Sequence, residues 1–566
     1  MTKISGNRGD FDRNTKVFED SLLAESARVL GLLDRDSCSP TYGSMDRVHW
    51  AWKFTDFPGA RFQEGLCYLA FLYTTELDGN LIFGNETARQ WLQGGILNWS
   101  GLQSRSGDFD EAYPGERSLA ATAFTGFYLS EAFIMLEPHL DADVADAFKQ
   151  TLDKAAGWLC KNDESHGFLS NHLAAAAAAL LHAHRILGKD EYYDRYRYFL
   201  DKILDHQSDE GWYEEYGGAD PGYQTHGMFY LARCLELTND DQLRDSLYRA
   251  CEFIKHFVHP DLSLGGEYAS RNTQTYYPAA FEMLSSQNGA ASWIASEMRS
   301  SIRGGCAAGL ISVDAYNYFP LLNNYVFALK AILDRIDDSH ADANPPPSGP
   351  YDKHFPAAGL IRIRREHYDL IVGSSKGGVI KVFDRDRKRL VLSSSGYIGQ
   401  EANGNQCSNQ VFDTGIAATV TGDEIQINTR FFGFSRPVMT PFKFLLFRIF
   451  SLTTGQFSSI ATWLKRLLVK VLIYRKNELD LELQRRIRIG DDGIEILDRI
   501  RGSHLCRLVS LQHKSVFTTI HMGSSRYFTP NELQVPVEIE RMDFEPGSAP
   551  TDVEFCTVVN VPGSGA

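Results

Sequence analysis

The chain has 566 residues, of which 43% are hydrophobic and 12% aromatic, so it is too long for one core and apolar enough to fill more than one. Its formal net charge of −15 excludes a protein whose bulk binds nucleic acid, whereas a local basic groove could still bind an acidic polysaccharide. Nine cysteines are scattered singly without a CxxC pair, which is typical of a reducing compartment. The first residues contain no apolar stretch of a secretory signal, and no run of about 18 apolar residues occurs, so we expect a cytoplasmic protein without a membrane span.

The first part of the chain, residues 1–336, is helical in pattern. Apolar residues recur at three- and four-residue spacing in stretches that begin, for example, at Ser21, Glu116, Asp143 and Tyr192. Loops rich in Gly, Asp, Asn and Pro separate these stretches. We predict roughly ten to twelve helices in this region.

One of these helices contains six consecutive alanines, Ala174–Ala179. Small side chains let helix backbones approach one another, so the run predicts an inner helix in a crowded ring of helices. The alternative is that alanine only maximises helix propensity. Ser170 is the candidate N-cap, which would place Asn171 and His172 in the first turn at the mouth of the ring.

The helical pattern ends at residues 337–356, where five prolines predict a linker. Beyond it the hydrophobic period changes to two, which predicts strands in segments that begin at Leu360, Gly377, Glu424 and Leu481. Gly422-Asp423 and residues 491–493 lie between apolar runs, as hairpin turns do. The fold prediction is an (α/α) toroid of paired helices over 1–336, a linker over 337–356 and an antiparallel β-sandwich over 357–566.

Polar and aromatic residues are concentrated at helix boundaries of the first part. The stretches are 46–65, 106–118, 170–172, 209–227 and 265–278. Tryptophan and tyrosine faces stack on sugar rings, and Asn, Arg and carboxylates bind hydroxyl or uronate groups. We favour a substrate cleft over the alternative, which is loops held together by aromatic packing.

The local motifs resemble the heparinase II/III-type polysaccharide lyases, which include alginate and heparin lyases. The resemblance rests on Ser170-Asn171-His172 before a helix, on Tyr223 in the segment DPGYQTHG one hairpin later, and on a β domain after the toroid. The 51 residues from His172 to Tyr223 are similar to the gap that these lyases show between their Asn/His pair and their catalytic tyrosine. The resemblance covers the architecture of nearly the whole chain and implies cleavage of a uronate-containing polysaccharide by β-elimination.

β-Elimination removes the C5 proton of a uronate and expels the sugar linked at C4. The charge that develops on the uronate carboxylate needs an amide, His or Arg partner, and a Tyr or His must take the proton. The resemblance implies Asn171 at the carboxylate, His172 as neutraliser or base, Tyr223 as base and acid, and His226 in a supporting catalytic role. The structural alternatives are a capping or core histidine at 172 and a packed loop tyrosine at 223.

The residue types in the polar stretches also predict a set of substrate-binding side chains. They are Arg47, Trp50, Lys53, Arg61, Tyr113, Arg117, Trp212, Tyr216, Arg271 and Tyr276.

The family carries a histidine-rich stretch in its early β domain, and the corresponding residues 391–415 contain no histidine. No metal or other cofactor is therefore predicted, and His182 and His184, two residues apart on a helix, are expected to be structural. A uronyl C5-epimerase on the same toroid is an alternative function. A glycoside hydrolase with two carboxylates and a non-catalytic glycan-binding or polysaccharide-assembly protein are two others. The candidate carboxylates of a hydrolase are Asp108, Glu111, Asp209, Glu214, Glu215 and Asp220.

A basic and apolar segment interrupts the acidic chain, with nine basic and no acidic residues from Ile425 to Asn477. Within residues 439–476, Leu464, Leu467, Leu468 and Val471 follow helical spacing with basic residues between them. One hypothesis is an amphipathic helix in peripheral contact with an anionic membrane, at the inner face for a cytoplasmic protein. There are two alternatives. The segment could form a basic surface that binds an acidic polysaccharide, or it could be an insertion packed on the toroid.

Overall fold

The computed structural model describes residues 8–164, 167–335, 341–435, 438–454, 477–519 and 526–563. Its first part contains twelve α-helices within the described residues. They are α1 (Arg8–Leu32), α2 (Gly65–Thr74), α3 (Glu86–Leu102), α4 (Leu119–Leu136), α5 (Ala142–Lys161), α6 (Ser170–Leu187), α7 (Asp190–Asp205), α8 (Pro221–Thr238), α9 (Asp241–Ile254), α10 (Ala279–Leu284), α11 (Gly289–Gly304) and α12 (Ala315–Leu333). A two-stranded hairpin, β1 (Glu214–Glu215) and β2 (Gly218–Ala219), precedes α8.

The even-numbered helices form a closed inner ring. Each of α2, α4, α6, α8, α10 and α12 contacts the next, and α12 contacts α2. The odd-numbered helices pack outside them, and α1 bridges α11 and α12. The predicted toroid of paired helices is confirmed, with five consecutive hairpins from α2–α3 to α10–α11 and a sixth pair formed by α12 and α1. The stretch Leu119–His139, α4 with its following turn, is long and apolar enough to cross a membrane, but most of it is buried in this ring.

The alanine run lies in the inner helix α6, as predicted. Ala174–Ala179 are all buried, and α6 contacts α4 on one side and α8 on the other. The prediction of Ser170 as N-cap is wrong. Leu169 holds the N-cap position, and Ser170 Oγ instead donates to the backbone oxygen of Glu214 at 2.8 Å.

The second part is an antiparallel β domain of two sheets. Its strands are β3 (Tyr351–Phe355), β4 (Leu360–Arg364), β5 (Tyr368–Gly373), β6 (Val379–Asp384), β7 (Arg389–Ser394), β8 (Tyr397–Glu401), β9 (Gln406–Ser408), β10 (Ala418–Thr421), β11 (Glu424–Phe434), β12 (Asn477–Ile489), β13 (Gly493–Arg501), β14 (Leu508–Lys514), β15 (Glu538–Asp543) and β16 (Asp552–Asn560). One sheet has the order β3-β4-β5-β6-β7. The other has the order β15-β14-β8-β9-β11-β12-β13-β16, with β10 paired to β11.

The two sheets share a core, which confirms the predicted sandwich. Ile363 and Leu370 of the first sheet pack in one apolar cluster with Ile427 and Ile487 of the second. The predicted linker is too long, because β3 lies inside residues 337–356. Strand β3 pairs in register with β4, Tyr351 opposite Arg364, so a tertiary partner orders a segment that looked irregular in sequence.

The β domain is fixed to the toroid by polar contacts. The Glu210 carboxylate accepts hydrogen bonds from the backbone N–H groups of Ala357 and Ala358 at 2.8 and 3.0 Å. Lys381 of β6 pairs with Glu267 at 2.5 Å, and both side chains are buried. These contacts hold the β domain against the toroid loops that precede α8 and follow α9.

A further helix, α13 (Pro441–Leu452), lies in the excursion between β11 and β12. It belongs to the segment 439–476 for which a membrane or polysaccharide contact was predicted from sequence. The predicted amphipathic helix around Leu464–Val471 lies outside the described residues.

Candidate active site

The centre of the site is the ring of Phe124 in the inner helix α4. The edge of His172 in α6 meets this ring at a centroid distance of 5.6 Å, and His226 in α8 stacks on it at 5.7 Å. The Arg61 guanidinium lies 4.5 Å from the ring centroid. Arg61 precedes α2, and the other three residues lie in the first two turns of their helices. The N-terminal ends of four inner helices therefore converge here, which favours an anionic ligand.

His172 is oriented by a buried carboxylate. Its Nδ1 lies 2.7 Å from Oε2 of Glu164, whose side chain is almost fully buried, whereas the imidazole is partly exposed. An ionised carboxylate only accepts hydrogen bonds, so Nδ1 carries the proton. In the neutral ring, Nε2 is then the nitrogen with a lone pair for a substrate proton.

Asn171 is buried and is held by Glu215 of β1. Both its backbone N–H and its side-chain amide donate to the Glu215 carboxylate at 2.8 Å. Burial raises the pKa of Glu215 to about 8, and the bonds from Asn171 oppose that rise only in part. The predicted contact of Asn171 with a substrate carboxylate stays a prediction. In the structure Asn171 ties the start of α6 to the β1–β2 hairpin.

His226 lies deeper than His172, between aromatic rings. It stacks on Tyr277 at 4.2 Å, and its Nε2 lies 2.9 Å from the Tyr230 hydroxyl. That hydroxyl lies 3.1 Å from the Tyr128 hydroxyl. Burial, with smaller effects of the nearby Arg61 and His172, lowers the pKa of His226 well below its ordinary value. His226 is therefore a neutral imidazole in a chain of hydroxyl groups beneath the site.

Tyr223 occupies the first turn of α8, and Asp220 fixes that turn. One oxygen of Asp220 accepts the Tyr223 backbone N–H at 3.0 Å, and the other accepts that of Arg271 at 2.7 Å. The pKa of Tyr277 is raised by burial and then by the nearby Tyr223. The pKa of Tyr527, from the β domain, is raised by burial and then by Tyr277, Asp314 and Tyr223. Tyr223 is therefore close enough to Tyr277 and to Tyr527 to influence their ionisation.

Arg61 bridges two carboxylates beside Phe124. Its Nε donates to Glu64 at 2.7 Å and its Nη1 donates to Glu111 at 3.0 Å. Burial raises the pKa of Glu64 to about 7, although the charge of Arg61 opposes the shift. The Glu111 carboxylate also accepts the Ser118 hydroxyl at 3.2 Å. This cluster supplies a fixed cation at the edge of the site.

Three other predicted substrate-binding residues flank the same region. The Arg271 guanidinium lies 4.2 Å from the centroid of the Tyr216 ring, and Tyr216 has a positive φ of 57°. Tyr113 follows Glu111 by two residues and meets the ring of Phe447 in α13 at 4.9 Å. The contact between Tyr113 and Phe447 joins a toroid loop to α13. A fourth predicted residue, Arg117, lies four residues after Tyr113, and its backbone N–H donates to Asp110 at 2.9 Å.

The remaining predicted binding residues are not brought into contact with Phe124. Trp50 donates its Nε1–H to the backbone oxygen of Leu32 at 2.7 Å, and Arg47 stacks on Trp50. Lys53 is exposed at the end of the same turn. Trp212 donates to Glu210 at the domain interface, and Tyr276 is buried against Phe281. Trp212 and Tyr276 are thus packing residues in this structure.

Several residues of the site were not predicted from sequence. Glu164 lies in an irregular segment without a motif, Phe124 is one of many aromatic residues of α4, and Tyr277 lies after a buried loop. Lys376 of the β domain reaches the backbone oxygen of Ser270 at 2.7 Å, and burial lowers its pKa to about 7. Of these residues, only Tyr277 lies in a stretch, 265–278, whose density of aromatic residues indicated a binding site. Within the described ranges, no three His, Cys, Asp or Glu side chains are grouped so as to hold a metal ion.

No protein-family model matches the sequence, and no curated protein matches it. Among solved structures, the chain is similar to the chondroitin AC lyase of Streptomyces coelicolor A3 in complex with chondroitin sulphate. The identity is 12% over 100% of this chain and 81% of that chain, with a TM-score of 0.55. The chain is also similar to heparinase III, at 9% identity over 99% of this chain and 87% of that one, with a TM-score of 0.50. At these identities the likeness shows the fold, and it confirms the toroid-plus-sandwich architecture that the heparinase II/III resemblance implied.

Proposed function

We propose that the protein is a polysaccharide lyase that cleaves a uronate-containing glycan by β-elimination. The observation that carries the proposal is His172, whose Nδ1 is held 2.7 Å from Glu164 while the ring stays partly exposed beside Phe124. The similar folds of a chondroitin lyase and of heparinase III support the same class of substrate. Converging helix N-termini and Arg61 favour the anionic carboxylate of such a sugar.

In the proposed reaction, a base takes the C5 proton of the uronate. The C5–H electron pair forms the C4=C5 double bond, and the C4–O bond breaks toward the leaving sugar. The leaving oxygen must receive a proton. Tyr223, whose hydroxyl can both accept and donate, is the group we assign to the base and acid roles, and His172 stabilises the charge or accepts the C5 proton.

The carboxylate of the substrate must be neutralised for the C5 proton to become acidic. We assign Arg61 and Arg271 to this role, and both are pre-positioned by aromatic rings, Phe124 and Tyr216 respectively. Rings that hold a guanidinium in place reduce the conformational entropy that binding would otherwise cost.

Hydrolysis on the same toroid is less well supported. A hydrolase needs two available carboxylates, but three of the six predicted candidates are engaged: Asp220 caps α8, Glu215 binds Asn171 and Glu111 binds Arg61. A C5-epimerase shares the first proton transfer and is the alternative that the site chemistry allows. It differs by returning the proton to C5 without bond cleavage.

The test is ultraviolet absorbance during incubation with alginate, heparan, chondroitin, hyaluronan and glucuronan. A lyase produces a double bond conjugated to the carboxylate, so absorbance rises with one of them and the rise is lost in Tyr223→Phe. His184→Gln is the matched control, because His184 lies in the last turn of the same helix as His172 and should keep full activity. Deuterium uptake at C5 without a rise in absorbance would replace the lyase with an epimerase.

We also propose a cytoplasmic location and peripheral contact of the segment 439–476 with an anionic membrane. The basic and apolar composition of this segment supports the contact. Co-sedimentation with anionic liposomes, compared with a Lys465→Glu/Arg466→Glu/Lys470→Glu variant, tests it.

A further inference from the structure

Helix α13 presents apolar side chains on two opposite faces. One face packs on the toroid: Phe447 meets Tyr113, Arg448 pairs with Asp56 at 2.9 Å, and Ser451 is buried. The opposite face is exposed and is also apolar. Its residues follow helical spacing and are Phe442, Leu445, Leu446, Ile449 and Leu452.

A toroid loop beside the packed face of α13 also carries exposed aromatic side chains. Arg448 stacks on Phe57 as well as pairing with Asp56, so the loop that holds these two residues lies beside the helix. Just before them, Trp52 and Phe54 are 64% and 85% exposed. We call the exposed residues of α13 together with Trp52 and Phe54 the apolar rim.

Large apolar side chains that are exposed in one region of a protein mark a contact surface, and their chemistry identifies the partner. A hydrated polysaccharide offers no apolar volume that Leu445 or Ile449 could enter. A lipid bilayer does, and aromatic residues such as Trp52 are favoured at the boundary between headgroups and acyl chains. Lys443 is exposed on α13, and the sequence from Ile425 to Asn477 carries nine basic and no acidic residues, which complements anionic headgroups.

We propose that the apolar rim docks the protein on an anionic lipid bilayer, with the mouth of the candidate active site at the membrane surface. The inner face of α13 contacts Tyr113, two residues from Glu111, which holds Arg61 beside Phe124. A glycan anchored in that membrane would therefore be the substrate presented to the cleft. This part of the inference, the nature of the substrate, rests on the proposed lyase function.

The experiment is sedimentation with vesicles of phosphatidylcholine and phosphatidylglycerol, and with vesicles of phosphatidylcholine alone. The full chain should sediment with the anionic vesicles, and Leu445→Asp/Ile449→Asp should weaken the binding at least about tenfold, because two charges would have to enter the apolar region. Leu81→Asp is the matched control, since Leu81 is highly exposed but lies in the loop that follows α2, whereas Trp52 and Phe54 precede α2. It should sediment like the unmodified chain.

A second variant keeps the test valid if the helix variant does not fold. Trp52→Asp/Phe54→Asp changes the loop only and should also release the protein from vesicles. Unchanged sedimentation of both variants, or no sedimentation of the unmodified chain, would overturn the proposal. So would a dimer in sedimentation equilibrium that Leu445→Asp/Ile449→Asp dissociates without any vesicle binding, since a second copy would then cover the rim.

Failure of docking is distinguishable from failure of the lyase proposal. The rim variants should turn over a soluble uronate oligosaccharide at an unchanged rate, because the rim residues do not touch Phe124 or His172. Vesicle binding without turnover of any uronate glycan would leave the docking surface standing and remove the proposed substrate.

Discussion

Two clusters of charged and aromatic side chains in this molecule are built from the same residue types but differ in their exposure to solvent. In the sandwich core, Arg485 donates to Asp498 at 2.8 and 2.5 Å, and the Tyr397 hydroxyl donates to the same carboxylate at 2.7 Å. The ring of His513 stacks on Tyr397 and its Nε2 lies 2.7 Å from Ser394 Oγ. All these side chains are buried, so no substrate can reach them.

In the toroid, the corresponding groups are held by neighbouring carboxylates on one side and are partly exposed to solvent on the other. Glu164 holds His172 and Glu111 holds Arg61, while the imidazole, the guanidinium and the Tyr223 ring remain partly exposed. A closed cluster stabilises the fold, whereas a supported and open cluster can bind and react. The two clusters have similar residue types, so residue composition does not distinguish them. Solvent exposure of the side chains does.

The largest expected effect is on turnover in the open cluster. His172→Ala and Tyr223→Phe should each lower kcat by about 10²–10⁴, because each removes a proton-transfer or charge-stabilising group. Steady-state absorbance assays measure the loss. The melting temperature should stay within a few degrees of the unmodified protein, and normal turnover in both variants would remove them from the mechanism.

The closed cluster should respond in the opposite way. Arg485→Met leaves Asp498 as an unpaired buried carboxylate and should cost about 3–5 kcal/mol of unfolding free energy, measured by urea denaturation. Arg499→Met is the control on the neighbouring strand, because its pairing with Asp552 is exposed and should contribute about 1 kcal/mol or less. Equal destabilisation by the two variants would contradict the distinction drawn between the clusters.

Glu164→Gln sharpens the comparison further, since it keeps an acceptor for Nδ1 of His172 and removes the negative charge behind it. We expect kcat to fall roughly tenfold or more with little change in KM, because the charge stabilises the protonated imidazole during the reaction. Glu164→Asp should recover part of the activity. A change confined to KM would mean that Glu164 shapes binding and not proton transfer.

A smaller effect concerns Glu215 and the pH dependence of stability. Its folded pKa of about 8 lies above the ordinary value of 4.5, so the folded state holds this proton more tightly than the unfolded state. Stability is full below pH 4.5 and falls as pH rises toward about 8, by on the order of a few kcal/mol. Glu215→Gln, compared with the unmodified chain by urea denaturation from pH 5 to 8.5, should flatten this slope. An equal slope in both proteins would show that Glu215 is ionised when folded.

Helices and strands were predictable from sequence where a local residue pattern is compatible with only one type of secondary structure. The Ala174–Ala179 run specified a crowded inner helix, and the period-two segments from Leu360 to Leu481 specified the strands. Predictions failed where contacts with residues distant in sequence determine the local structure. Ser170 lost the N-cap role because Glu215 reaches the first turn of α6, and β3 formed inside the predicted linker because β4 supplies its hydrogen bonds.

The site was predictable only in part, for the same reason. The motif around His172 and Tyr223 identified the region, and Arg61 and Arg271 came from polar density at helix ends. Phe124, which joins His172, His226 and Arg61, carries no signal that distinguishes it from other aromatic residues of α4. Sequence also placed Trp212 and Tyr276 in the cleft, whereas burial shows them in packing roles.

The most direct test of the central claim is mass spectrometry of the products formed from a uronate oligosaccharide of defined length. β-Elimination by the open cluster predicts that the fragment that keeps the original reducing end starts with an unsaturated uronate and is lighter by one water than the same fragment from hydrolysis. This product should be absent with Tyr223→Phe. A reducing-end fragment with the full mass of added water would contradict the account, because it would mean hydrolysis in place of β-elimination.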